Sequence, residues 1–413
     1  MKVLKYLLLA ALLSLSAACS REQPAPPSGG GVASLDEPLE AVFFQDSRSM
    51  AITTFGDMVE DQLLTEAEYM GAGGNLIYSP HSFYAALHTF GMTSTNFEDN
   101  PLVSLAAAAP WALDHTESET EMYLNGDFLH RGPEAPEMIR EMKFPKEAEE
   151  ASRALQKRVL DEVLLEPEYR RETRGVILNV TRFLVPWELP FEEAFTYDDP
   201  FTGIEGLQEV AVMHETMEDH GGFEDDEAVV TYKKAAEEGD EIPSLVYIIV
   251  PKTLGLNDEK MRERMVSVAR NLDRYVLPVG EMDLYDGVYL SLPRLELKST
   301  MDLLKMSELR GYGLQGPIAF NEELVVEETS DEPTIIDSIL QVSALSLDER
   351  QVDAKAVTEM MDTAAEPYEE DLKTLEVDAT RPFFLVIASH PKNGEGDYAI
   401  SFMAMVTEPP EQK

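Results

Sequence analysis

The segment from Gln341 to Phe383, QVSALSLDERQVDAKAVTEMMDTAAEPYEEDLKTLEVDATRPF, constrains the fold of this chain more than any other. A strand-like run opens it, and a second, Arg381-Pro382-Phe383-Phe384-Leu385-Val386-Ile387, closes it. Between them lie about thirty residues with no evident reason to fold by themselves, and ordered domains rarely carry loops of that length without a use for them. The loop alternates. Val352, Ala354, Ala356, Thr358 and Met360 are small or apolar, whereas Asp353, Lys355 and Glu359 are charged; Val357 and Met361 interrupt the polar set. A period of two is that of a strand with one face to bury. Two readings stand at this level: an exposed segment written as a strand, or an ordinary edge strand with a long acidic loop.

The N-terminus speaks to compartment. Lys2 and Lys5 precede the apolar run Leu7 to Leu15 and the small residues Ser16-Ala17-Ala18, the layout of an export signal. The run is too short for a membrane span. Cys19, the single cysteine of the chain, follows directly, and the arrangement is similar to a bacterial lipoprotein signal. That resemblance implies a signal at residues 1–18, a lipid on Cys19 and, with Ser20 next, outer-membrane sorting; a plain secretory peptide is the alternative. The expected location is the outer membrane or cell surface, facing periplasm or exterior, with the membrane touched only through the lipid. With Cys19 used, no disulfide and no cysteine-based metal or catalytic site remains. Residues 19–40 are rich in Pro, Gly and Ser and read as a tether. No second linker of that kind appears, so residues 41–413 are expected to form one large domain.

Charge excludes some partners. The chain has 33 basic and 78 acidic residues, a formal net charge of −45. Such a field repels nucleic acid and anionic headgroups. It favours solubility, a saline habitat or a cationic partner, and the sequence does not choose among these. An apolar fraction of 44% is ample for a core.

Met50 to about Ala67 has helical spacing at Ile52, Phe55, Met58, Val59, Leu63 and Leu64. Asn75 to Leu87, NLIYSPHSFYAAL, is a short apolar strand running into a Ser-Pro that can open a helix. That helix is apolar nearly all round, as a buried one would be. NLIYSPHSFYAAL resembles the second helix of the serpin family. In Gly175 to Phe201, Asn179, Phe183, Trp187, Pro190, Phe191, Pro200 and Phe201 match in order and spacing that family's central strand and the turn after it. Met213-His214-Glu215-Thr216, Leu292-Pro293-Arg294-Leu295-Glu296-Leu297 with Asp302-Leu303, and Arg381-Pro382-Phe383 with Ser401 to Val406 complete the pattern. Five blocks in the right order over residues 48–409 identify the chain as a member of the serpin family.

The resemblance implies an α+β fold: one large domain with a central, mostly antiparallel sheet A, two further sheets, about eight to nine helices and an exposed reactive-centre loop at about residues 350–377. It also implies a monomer and no cofactor. Ser79, Ser82 and Asn179 are expected to line the point where sheet A opens, with Gln341 standing where many members have a histidine. Gln341 can also donate and accept. Departures are a shorter connection between Asn75 and Asn179, Thr380 in place of an acidic or amide residue, and Ala404 in place of a glycine.

By the same resemblance the chain is an inhibitor, not an enzyme. A protease attacks the loop, forms an acyl-enzyme, and the cleaved loop inserts as a new strand in sheet A. Alignment matches Glu349 to the hinge glutamate and Arg294 to its basic partner. The inward set is then Val352, Ala354, Ala356, Thr358 and Met360, none charged; a charge there would cost several kcal/mol. Gln351 replaces the hinge glycine, and Lys355 interrupts a run that is usually small. Both lose more rotamer freedom on ordering than Ala or Gly, which opposes insertion. Counting from Glu349 puts Ala365 before the attacked bond and Glu366 after it. That suits a serine-type endopeptidase (or a cysteine one) with a shallow, elastase- or subtilisin-like pocket. The far half of the loop is longer than usual, so Tyr368, Lys373 and Leu375 are other candidate baits.

The seven histidines show no paired metal spacing. Glu224-Asp225-Asp226-Glu227 lacks the EF-hand loop pattern, and no phosphate loop or nucleophile elbow is present. Two functions remain in view. One is a tethered suicide inhibitor. The other is a non-inhibitory lipoprotein of the same fold that binds a partner through its acidic surface.

Overall fold

Leu245 to Val250, Phe383 to Ala388 and Ile400 to Val406 are almost entirely apolar, the pattern of strands covered on both faces. In the computed structural model they form the centre of the molecule. The structure describes residues 46–65, 74–97, 100–109, 112–183, 185–204, 206–236, 242–302, 314, 316–328, 333–335, 340–350, 372–392 and 397–408. All belong to the unit Leu39–Lys413.

Strands β9 (Ser244–Pro251), β15 (Phe383–Ser389) and β16 (Ala399–Val406) are mutually antiparallel neighbours. β1 (Leu76–Tyr78) adds to the free side of β16. From β9 the sheet continues through β8 (Ala228–Ala235), β7 (Leu207–Glu224), β10 (Asp283–Pro293) and β14 (Thr374–Asp378). β6 (Thr196–Thr202) also pairs with β7. The eighteen-residue β7 meets β8 at one end and β6 and β10 along its length. This long strand fuses what the family pattern presents as two further sheets into one of nine strands.

Alternate residues of β9 serve two cores. Leu245, Tyr247 and Ile249 pack with Phe55 and Met58 of α1 (Ser47–Glu60) and Met265 of α5 (Asp258–Arg270). Val246, Ile248 and Val250 pack with Phe183, Leu295, Leu297, Leu345 and Leu347, which belong to a second layer of strands.

That second layer corresponds to sheet A, and it comes in two halves. One half has the order β4-β2-β5, from β2 (Thr116–Asn125), β4 (Ile139–Met142) and β5 (Gly175–Phe183). The other pairs β11 (Leu295–Asp302) with β13 (Leu340–Leu347), antiparallel. β5 and β13 approach to within 8 Å between Cα atoms. Among the described residues no ladder joins them. A small pair, β3 (Leu129–Arg131) with β12 (Val325–Glu327), completes the strands.

Five α-helices are described, against about eight to nine expected from the family pattern; residues 303–313, after β11, lie outside the description. α1 ends at Glu60 and is followed by a π turn over Asp61–Thr65; the remainder of the expected helix, to about Ala67, lies outside the described residues. α2 (Pro80–Thr93) starts as its sequence requires: Pro80 occupies the first turn, and the Ser79 hydroxyl accepts from the Ser82 backbone N–H. α3 (Pro101–Ala108) packs on α2. α4 (Lys146–Leu160) is amphipathic and buries Leu155, Val159 and Leu160 against Tyr123, Leu178 and Val180 of β2 and β5.

Candidate sheet-opening and hinge site

The N-terminus of α2 sits at the mouth between β5 and β13, and polar side chains converge there. Ser79 gives its backbone N–H to Gln341 Oε1 at 2.9 Å and accepts from Gln341 Nε2 at its carbonyl at 2.8 Å. This two-bond clasp ties α2 to β13. The Ser79 hydroxyl donates to the Ser401 carbonyl of β16, 2.9 Å away. On the other side of the mouth the Ser82 hydroxyl donates to Asn179 Oδ1, which also accepts from Thr181 Oγ1 at 2.8 Å. Asn179 Nδ2 donates to Thr120 Oγ1 at 2.8 Å and Ser118 Oγ at 3.0 Å on β2. Ser79, Ser82, Asn179 and Gln341 are all buried. Polar groups so deeply placed are tolerated because they satisfy one another. α2 therefore bonds separately to β5 and to β13, so moving these strands further apart would require side-chain bonds on one side to break.

Below β13 the chain leaves the sheet through Asp348 and Glu349, and two aromatic residues hold its backbone. Trp187 Nε1 donates to the Asp348 carbonyl at 2.8 Å, and the Phe191 N–H donates to the Glu349 carbonyl at 2.8 Å. The two rings meet edge to face with centroids 5.8 Å apart. The Glu349 carboxylate is buried and takes a forked pair of bonds from Arg294, with Nε at 2.9 and 3.0 Å from its two oxygens. Burial pushes the Glu349 carboxyl up; hydrogen bonds led by those of Arg294 outweigh it, so its pKa lies below the ordinary value. Beneath the rings lies Lys233 of β8, only 3% exposed. Its ammonium is 2.5 Å from Glu215 Oε2, 4.4 Å from the Phe191 centroid and 5.7 Å from that of Trp187. A buried cation without its anion and rings would be strongly unfavourable, so the four side chains form one supporting unit. Burial lowers the Lys233 pKa, and Glu215 opposes the shift.

Residues 151–409 match the family model described as Serpin (serine protease inhibitor), which is more than half of the chain. The chain belongs to the serpin family. A native-state thermophilic serpin, tengpin, is 17% identical and superimposes with a TM-score of 0.61 over 91% of this chain and 99% of its own. Serpin48 from the insect Tenebrio molitor is 19% identical, with a TM-score of 0.62 over 88% and 98% of the two chains. Human thyroxine-binding globulin with thyroxine is 18% identical, with a TM-score of 0.60 over 88% and 99%. At such identities the likeness is one of fold. A search of the curated proteins finds no match.

Of the residues singled out in the serpin pattern, the structure gathers Ser79 with Gln341 and Ser82 with Asn179, and it sets Arg294 against Glu349. Gln341 uses both ends of its amide, accepting from and donating to the Ser79 backbone. Gln351, Val352, Ala354, Ala356, Thr358, Met360, Ala365 and Glu366 lie outside the described residues, as does Cys19. Reading the sequence did not find Ser118, Thr120, Thr181 and Ser401, because isolated hydroxyl residues in strands carry no signal. Lys233, and its pairing with Glu215, also went unforeseen; the one available hint was a lysine directly after the apolar-rich run Ala228-Val229-Val230-Thr231-Tyr232.

Proposed function

We propose that this serpin inhibits a serine endopeptidase (or a cysteine one) by offering the segment after β13 as bait. The protease attacks a peptide carbonyl of the loop and forms an acyl-enzyme on its own nucleophile. The cut loop, still joined to β13, then adds as a strand between β5 and β13 and releases strain stored in the native fold. The observation that carries this reading is the pair of neighbouring strands, β5 and β13, with no ladder between them among the described residues. The uncharged alternate set Val352, Ala354, Ala356, Thr358 and Met360 supports it, since those side chains would enter a buried face. Ala365 before the bond and Glu366 after it favour a protease with a shallow pocket. Incubation with elastase- and subtilisin-type proteases, followed by denaturing gels, should give a complex that survives denaturation.

Gln351 and Lys355 favour a second reading, a non-inhibitory serpin that uses its acidic surface to hold a cationic partner. Only cleaved product, with every protease, would select that reading. We also place the protein outside the cytoplasm as a lipoprotein with lipid on Cys19. Labelled palmitate should be incorporated into the expressed protein and lost in Cys19→Ala.

A further inference from the structure

β2 has an open outer edge. β4 pairs only with Met122–Asn125, so among the described residues Thr116–Glu121 carry no ladder on that side. Met122 gives its N–H to the Met138 carbonyl there, and by strand alternation the N–H and C=O of Ser118 and Thr120 point the same way. Beside this edge lies a cavity of about 440 Å³, lined among others by Ser118, Glu117, Arg158 at the end of α4, Lys392 and His81 in the first turn of α2.

His81 is the second observation. It is only 5% exposed, and among the described residues no hydrogen bond or ion pair engages its imidazole. Burial pushes its pKa down to about 4, so at neutral pH it brings one N–H donor and one lone pair to the cavity. The ring meets the cavity, so its nitrogens are available to a ligand there. The charges facing the cavity are also uneven in their engagement. Glu119 and Glu121 hold Arg158. Glu117 lies with them on the α4 face of the strand, and Lys392 supplies an ammonium that forms no ion pair among the described residues.

We infer that this slot binds a short extended peptide of a partner protein, added to the outer edge of β2, with a carboxylate of the peptide on Lys392 and a polar group on His81. Unpaired strand edges recruit extended backbone, and the cavity provides room for it within the range of ordinary ligand sites. Ser118 joins this slot to the opening, because its hydroxyl bonds Asn179 Nδ2 and Thr181 Oγ1 at 3.0 Å each. An occupant therefore steadies the β2–β5 half and slows strand addition between β5 and β13; that second part rests on the inhibitory reading, the binding itself does not.

The probe is a fluorescein-labelled Thr-Val-Thr-Glu peptide with a free C-terminus, followed by anisotropy on the full chain. Binding is expected to weaken about tenfold with Lys392→Glu, and to vanish for the same peptide methylated on alternate backbone nitrogens, a control that needs no protein variant. It should persist after the reactive loop has been cut. Equal binding of the methylated peptide, no binding at millimolar peptide, or loss of binding on loop cleavage would each overturn the proposal; the last would put the peptide between β5 and β13. Failure of the inhibitory reading shows separately, as a cut protein that gains no thermal stability while the intact protein still binds the probe.

Discussion

Glu349 leaves β13 with its carboxylate buried, and the half-exposed Arg294 guanidinium lies across it. Replacing Arg294→Met would strand that anion, at a cost of about 2 kcal/mol in urea unfolding. Glu349→Gln should cost less, and the double variant should recover part of the loss. His81 works in the opposite sense. Its folded pKa of about 4 lies below the ordinary 6.5, so between those values the unfolded chain binds a proton that the folded chain refuses. Stability should then fall as pH drops from 6.5 to 4, by up to about 3 kcal/mol. Melting temperatures across that window check this, and His81→Phe should flatten the slope.

At the scale of elements, α2 acts as a peg between two strands. Its Ser79 end is clasped by Gln341 of β13, and Ser82 holds Asn179 of β5. The inner face of β13 alternates Gln341, Ser343, Leu345 and Leu347, all buried. A strand arriving between β5 and β13 must match this alternation, with uncharged side chains turned inward. On the inhibitory reading proposed above, Ala356→Asp should therefore turn an inhibitor into a substrate. Gels should show cleavage at an unchanged rate with the stable complex gone. An undiminished complex would mean that the register Val352 to Met360 is wrong.

Over the whole molecule, the nine-stranded sheet is covered on both faces, while sheet A is left in two halves. The well-packed sheet is the rigid frame, and the divided sheet is where burial and backbone pairing remain to be gained. On the inhibitory reading, cleaving the loop should raise the melting temperature by on the order of 10 °C, because a new central strand would add two ladders and bury its inward face. Differential scanning calorimetry of cut and uncut protein reads this directly. An unchanged transition would mean that the loop does not enter the sheet.

Some of this was legible in the residues alone. The five blocks named the family. The Ser-Pro after Asn75-Leu76-Ile77-Tyr78 marked the start of α2, and the apolar runs at Phe383 and Ser401 marked the strands of the inner sheet. These are local signals, carried by neighbours along the chain and by a fixed period. The fusion of two expected sheets through β7 was not legible, since pairing partners depend on register and not on the strand's own composition. Nor was the clasp of Ser79 with Gln341, which are 262 residues apart, or the seating of Lys233 under Trp187 and Phe191. By itself, the sequence determined the family, the start of α2, the strands at Phe383 and Ser401, and that one loop is written with the alternation of a strand. Only the tertiary structure decided that β5 and β13 stand side by side unpaired, because that spacing depends on α2 and the inner sheet packing beneath both strands at once.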